Sequence, residues 1–164
     1  MVIISDAMRY EVGKDLFRRM QDDPKCTAKL EVQLSILPSY TRLGMAALLP
    51  HAELTMTDDF KVLIDGLSCD NLAERETVLQ RYSPDSVCVQ FDSIKSLKVA
   101  ELRGIFTGKQ VVCVYHNQID ARGDKPNAED EVFVVCEEAF SEIIDLIHRA
   151  STNPNRVLRC TKTV

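Results

Sequence analysis

No apolar run in this 164-residue sequence approaches the roughly 20 residues needed to span a bilayer. The opening segment, Met1 to Asp6, is apolar, but it is too short for a signal peptide and carries no basic n-region. There is no internal repeat, no low-complexity tract and no linker-like stretch, so one domain over residues 1–164 is the simplest organisation. Six cysteines are scattered at wide intervals with no CxxC pair, which leaves neither a zinc ribbon nor a thioredoxin-like motif. Cys88 and Cys113 sit inside apolar runs and read as small buried hydrophobes. Reduced thiols and a cytoplasmic location are therefore the expectation. Positive charge is also short. The formal net charge is −5, which argues against tight non-specific binding to a nucleic-acid backbone.

What is present is an ordinary globular balance, 45% apolar and 27% charged residues, with enough chain for a sizeable core. Val2 to Ser5 is a β-branched run ending at Asp6 and predicts a buried strand. Ala7 to Met20 places Met8, Val12, Leu16, Phe17 and Met20 at helical spacing. Leu30 to Leu37 (LEVQLSIL) alternates and predicts a second strand; Thr41 to Leu49 predicts a short helix opened by a capping Ser or Thr. A hairpin is expected over 54–64, helices over 71–82, 93–106 and 129–150, and strands over 86–90, 110–115 and 156–160. Residues 117–128 read as a polar loop. Strands alternating with helices predict an α/β fold, a mostly parallel sheet with helices on both faces.

In open α/β sheets, sites lie beyond the carboxyl ends of strands. Asp6 follows the first strand and reads either as a metal ligand or as a surface acid. A haloacid-dehalogenase arrangement wants a second Asp where Met8 stands, and a receiver domain wants a pair of acids where there is one. Thr41 opens a helix, where free backbone N–H groups and the helix dipole suit a phosphate; the plainer reading is an N-cap. Asp120 and Asp124 lie on a Gly-containing segment, as convergent ligands for a cation such as Mg²⁺, Mn²⁺ or Zn²⁺ or as a solvated acidic loop. Arg9, Arg42 and Arg122 flank these positions, either to grip a phosphate bidentately or to form surface ion pairs. His116 reads first as a structural histidine and second as a ligand or acid–base group. His51 and His148 carry no pattern.

The order of three pieces is more specific than any one of them. SDAMRYE (Ser5 to Glu11), LPSYTRLGMAALLP (Leu37 to Pro50) and VYHNQIDARGD (Val114 to Asp124) together resemble the PglZ domain of BREX phage-exclusion systems, in the alkaline phosphatase superfamily. The likeness runs from Val2 to about Ile147. It implies an alkaline-phosphatase-like core, with Asp6 as first-strand metal ligand, Thr41 as nucleophile and second-metal ligand, and Asp120 and Asp124 as further ligands. It implies phosphate-ester hydrolysis at a two-metal site through a phosphothreonine, with other phage-exclusion proteins as partners. The superfamily continues into an Asp-His-Gly motif. Here the last residues are RVLRCTKTV, with no Asp-His pair anywhere. The core is thus expected to be incomplete at its C-terminal end, a piece of a larger protein, with weak metal binding and little activity by itself. A non-catalytic scaffolding module of a phage-exclusion complex is the alternative. A phosphate-sensing domain related to receivers, modified at Asp6, is a weaker third.

Overall fold

A computed structural model of the chain describes residues 1–123, 132–150 and 159–162. Its first element is β1 (Val2–Ser5), a strand buried on both faces. Next come α1 (Tyr10–Gln21), α2 (Thr41–Ala47), β2 (Leu54–Met56), β3 (Val62–Ile64), β4 (Leu67–Ser68) and α3 (Leu72–Tyr82). They are followed by β5 (Val87–Gln90), α4 (Phe91–Ile94), α5 (Val99–Phe106), β6 (Val112–His116), α6 (Gln118–Gly123), α7 (Val132–Ala150) and β7 (Arg159–Lys162). The main sheet is parallel, in the order β5-β6-β1-β7, and β2-β3-β4 form a separate small antiparallel sheet.

Period-2 alternation along the central strands splits the apolar residues into two cores. Ile3, Val112 and Val114 face α1, α4, α5 and α7, where Leu16, Phe91, Leu102, Phe140 and Ile143 close around them. Ile4, Cys113 and Tyr115 point the other way, against α2, α3 and the small sheet through Leu43, Ala46, Val62, Ile64 and Val78. Helical layers on both faces of a parallel sheet are the α/β arrangement the sequence pattern predicts.

Four expectations are corrected. Residues 30–37 form no strand; Val32, Leu34 and Leu37 are 72%, 93% and 82% exposed. Alternation shows that a segment suits a pleated surface, yet a strand also needs a ladder partner, and both flanks of β1 are already taken by β6 and β7. The helix expected over 93–106 is two helices. Glu101 accepts the backbone N–H of Lys98 at 2.7 Å and so starts α5 afresh. The polar loop at 117–128 begins as helix α6, anchored by Ile119 in the first core. The first helix starts at Tyr10 rather than Ala7, because Ala7 adopts a left-handed φ of 57° that no right-handed helix includes.

Ile143 has no exposed surface. Its replacement in Ile143→Ala is expected to cost about 2–5 kcal/mol. Leu34→Ser, at the exposed end of the scale, is expected to stay within about 0.5 kcal/mol of the parent. Urea denaturation of the two variants checks both values.

Candidate functional site

The carboxyl ends of β1, β5 and β6 open on one rim of the main sheet, and α2 begins above it. A cavity of about 150 Å³ sits there, lined by Asp6, Thr41, Arg42, Met45, Arg75, Gln90, Tyr115, His116 and Asn117. Asp6 is held in place by its backbone. Its N–H donates to the His116 carbonyl at 2.8 Å, and its Oδ1 accepts the N–H of Ala7 at 3.0 Å. The left-handed Ala7 turns the chain sharply just after the carboxylate. A non-glycine residue there stores on the order of 1–2 kcal/mol of strain, the kind of local cost that collects at working sites.

Thr41 is the first helical residue of α2; the N-cap is Tyr40, which makes no side-chain capping bond. The N-cap position read for the threonine therefore belongs to Tyr40, and no side chain caps α2. Among the described residues the Thr41 hydroxyl has no hydrogen-bond partner. Arg42 lines the same cavity and lies 3.7 Å from Asp70. Arg75, on α3, had no sequence signal. Its Nε donates to the Cys69 carbonyl at 2.9 Å, and its guanidinium lies 5.0 Å from the centre of the Tyr115 ring. Tyr115 is buried, and burial raises its phenol pKa, so the hydroxyl stays protonated.

The other sequence candidates are not among the described residues that line the cavity. Asp120 is half-buried in α6, a few residues past the end of β6, and does not line the cavity. Arg9 is exposed at the N-cap of α1, outside the cavity lining. Arg122 belongs to α6, and Asp124 lies outside the described residues. The structure therefore brings Asp6, Thr41 and Arg42 together, and adds Arg75, Gln90 and Asn117 to them.

His116 closes the floor. Its Nδ1 meets Ser5 Oγ at 3.0 Å, its ring packs edge-on to Phe91 at 4.8 Å, and Nε2 is 3.4 Å from a Glu142 oxygen. Nε2 makes no hydrogen bond of good geometry among the described residues, so the Glu142 contact is a loose electrostatic one. Burial outweighs the nearby negative charge of Asp92 and pushes the ring's pKa down to about 4. The imidazole is neutral and structural.

Residues 1–159 match the family described as the BREX system PglZ alkaline phosphatase-like domain. The chain belongs to the PglZ family. It is 41% identical over 148 residues to the alkaline phosphatase-like protein BrxZ of Escherichia coli O9:H4 (strain HS). It is 37% identical over 146 residues to the alkaline phosphatase-like protein PglZ of Bacillus cereus (strain H3081.97). Each match covers 89% of this chain but 17% of the relative, so the chain spans about a sixth of the length of these curated PglZ proteins. No solved structure matches it. Membership places the chain in a BREX phage-defence setting, on an alkaline-phosphatase-like fold. No helix among the described residues is long and apolar enough to cross a membrane.

Depression of the His116 pKa makes folding depend on pH with a definite sign. The unfolded chain takes up the proton near pH 6.5 and the folded chain only near pH 4. Stability from this residue is therefore full above about pH 6.5 and lost as pH falls toward 4, by on the order of 3 kcal/mol. Urea midpoints measured at pH 7 and pH 5 should fall in the parent and fall less in His116→Gln.

Proposed function

We propose that this chain is part of the catalytic core of a phosphate-ester hydrolase, with Thr41 as nucleophile. The observation that carries the reading is the meeting of Asp6, Thr41, Arg42 and Arg75 around one cavity at the carboxyl rim of a parallel sheet. Two arginines and a hydroxyl around a small cavity suit a tetrahedral anion. Family membership supports hydrolase chemistry of the alkaline phosphatase type.

The fit to a divalent metal is partial within the described residues. Asp6 supplies a buried carboxylate and Thr41 an oxygen, both hard donors suited to Zn²⁺, Mn²⁺ or Mg²⁺, while Asp6 is the one described carboxylate that lines the cavity. Asp120 and Asp124 are proposed as further ligands supplied from the α6 segment. A divalent cation held by Asp6 and Thr41 would supply Lewis-acid chemistry, lowering the pKa of the threonine hydroxyl and polarising the phosphate. Arg42 and Arg75 hold the non-bridging phosphate oxygens, with Arg9 and Arg122 as outer contacts. The Thr41 Oγ1–P bond forms as the bond from phosphorus to the leaving-group oxygen breaks, and the threonine proton passes to solvent. Water then cleaves the phosphothreonine.

Turnover is assigned to the full-length protein rather than to these 164 residues. Other BREX proteins are the proposed partners, and the five free thiols among the described residues support a reducing, cytoplasmic setting. The negative balance of the chain gives no support to nucleic-acid binding by this part. A second reading, a scaffolding module, is favoured by the exposed Val32, Leu34 and Leu37, an apolar set with nothing covering it among the described residues.

The full-length protein is expected to cleave a chromogenic phosphate mono- or diester only with a divalent metal, and to stop on chelation. Thr41→Ala is expected to lower kcat/KM by about a thousandfold or more, and Arg75→Ala by about 10–100-fold. Turnover that survives Thr41→Ala removes the nucleophile assignment. No turnover by the parent, with co-purification of BREX proteins retained in Thr41→Ala, supports the scaffold instead.

A further inference from the structure

At the edge of the main sheet opposite the Asp6 cavity, three side chains of different chemistry converge. Asp23 and Cys26 lie just past the C-terminus of α1, and His148 lies in the last turn of α7. The 12 residues of α1 start beside the Asp6 rim and carry the chain about 18 Å away from it. The two places are therefore separate.

Asp23 Oδ2 stands 2.6 Å from His148 Nε2, and Cys26 Sγ stands 4.0 Å from the same ring nitrogen. The three donor atoms lie within 4.8 Å of one another. The other carboxylate oxygen, Oδ1, accepts the backbone N–H of Lys25 at 2.9 Å, which fixes the group with Oδ2 toward the cluster. The neighbouring Arg149 is engaged elsewhere, on Asp145 and on the carbonyls of Leu97 and Lys95. An Asp–His ion pair would account for two of the three groups. It gives no reason for a thiol on the same nitrogen.

The geometry points to a second metal site, at which Asp23, Cys26 and His148 bind a zinc-class divalent cation and clasp the end of α1 to the end of α7. One sulfur, one nitrogen and one oxygen donor suit a borderline ion such as Zn²⁺ and disfavour Mg²⁺ or Ca²⁺, which take oxygen alone. A tetrahedral zinc ion sets such donors about 3.3–3.6 Å apart, so the N···O contact has to open and the N···S contact close by less than about 1 Å each. As the sulfur–metal bond forms, the thiol proton leaves to solvent, and His148 coordinates as neutral imidazole through Nε2. Carboxylate and thiolate then balance the 2+ charge, and water fills the fourth position. The site is structural and independent of the hydrolase reading.

Cobalt is the probe. The purified chain, stripped with a chelator, is titrated with Co²⁺ and then with Zn²⁺ as competitor. A sulfur-to-cobalt charge-transfer band in the near ultraviolet is expected, with one equivalent of zinc displacing it. Cys26→Ser is expected to abolish the band, and His148→Gln to weaken zinc binding by more than about tenfold. The Asp6→Asn/Thr41→Ala double variant is expected to keep both. Should Cys26→Ser fail to fold, alkylation of Cys26 in the parent gives the same answer: zinc should slow it more than about tenfold, and should not do so in His148→Gln. A parent chain with no charge-transfer band overturns the site. So does a band unchanged in a folded Cys26→Ser variant, or equal alkylation with and without zinc.

Discussion

The buried contact between Ser5 and His116 joins the carboxyl ends of the two central strands, and the rim is built on it. The two residues are direct partners in the parallel register of β1 and β6, and their side chains meet at 3.0 Å in a place with almost no solvent. The next backbone bond, from Asp6 N–H to the His116 carbonyl, extends the ladder one step beyond the strand. Slipping that register by one residue would exchange the faces of every residue in β1. Ile3 and Ile4 would trade cores, and the carboxylate of Asp6 would leave the cavity. Packing of the two cores and placement of the site are thus one constraint, since each depends on which way successive side chains of a four-residue strand point.

Electrostatics divides the molecule along α1. Its N-terminal end adjoins a cavity where two guanidinium groups and a threonine hydroxyl surround one carboxylate, an environment short of negative charge. Its C-terminal end adjoins a carboxylate, a thiol and an imidazole, with Lys25 beside the carboxylate.

Elements whose signal lies within their own residues were legible in the sequence. β1 and the run that forms β6 are largely apolar and rich in β-branched residues, and α7 repeats its apolar residues at helical spacing from Cys136 through Ile147. Each gives itself away without reference to the rest of the chain. Asp6 and Thr41, which line the cavity, stand out in the sequence because short motifs surround them. Residues 30–37 misled because alternation does not name a partner. Arg75 gave no signal, since what brings it to the cavity is the packing of α3 on Tyr115, a contact between residues 40 positions apart. Cys26 and His148 are 122 positions apart, and no spacing rule reaches that far.

The left-handed backbone at Ala7 limits which residues can follow the aspartate. The chain must reverse within one residue to release Asp6 from the ladder and let α1 start at Tyr10. Glycine adopts that conformation freely and asparagine tolerates it, while a β-branched side chain meets its own carbonyl there. A valine or isoleucine at position 7 would force the turn open and swing the carboxylate away, with no contact to any ligand. The placement of the Asp6 carboxylate thus depends on a torsion angle of a methyl-bearing residue that has no functional group.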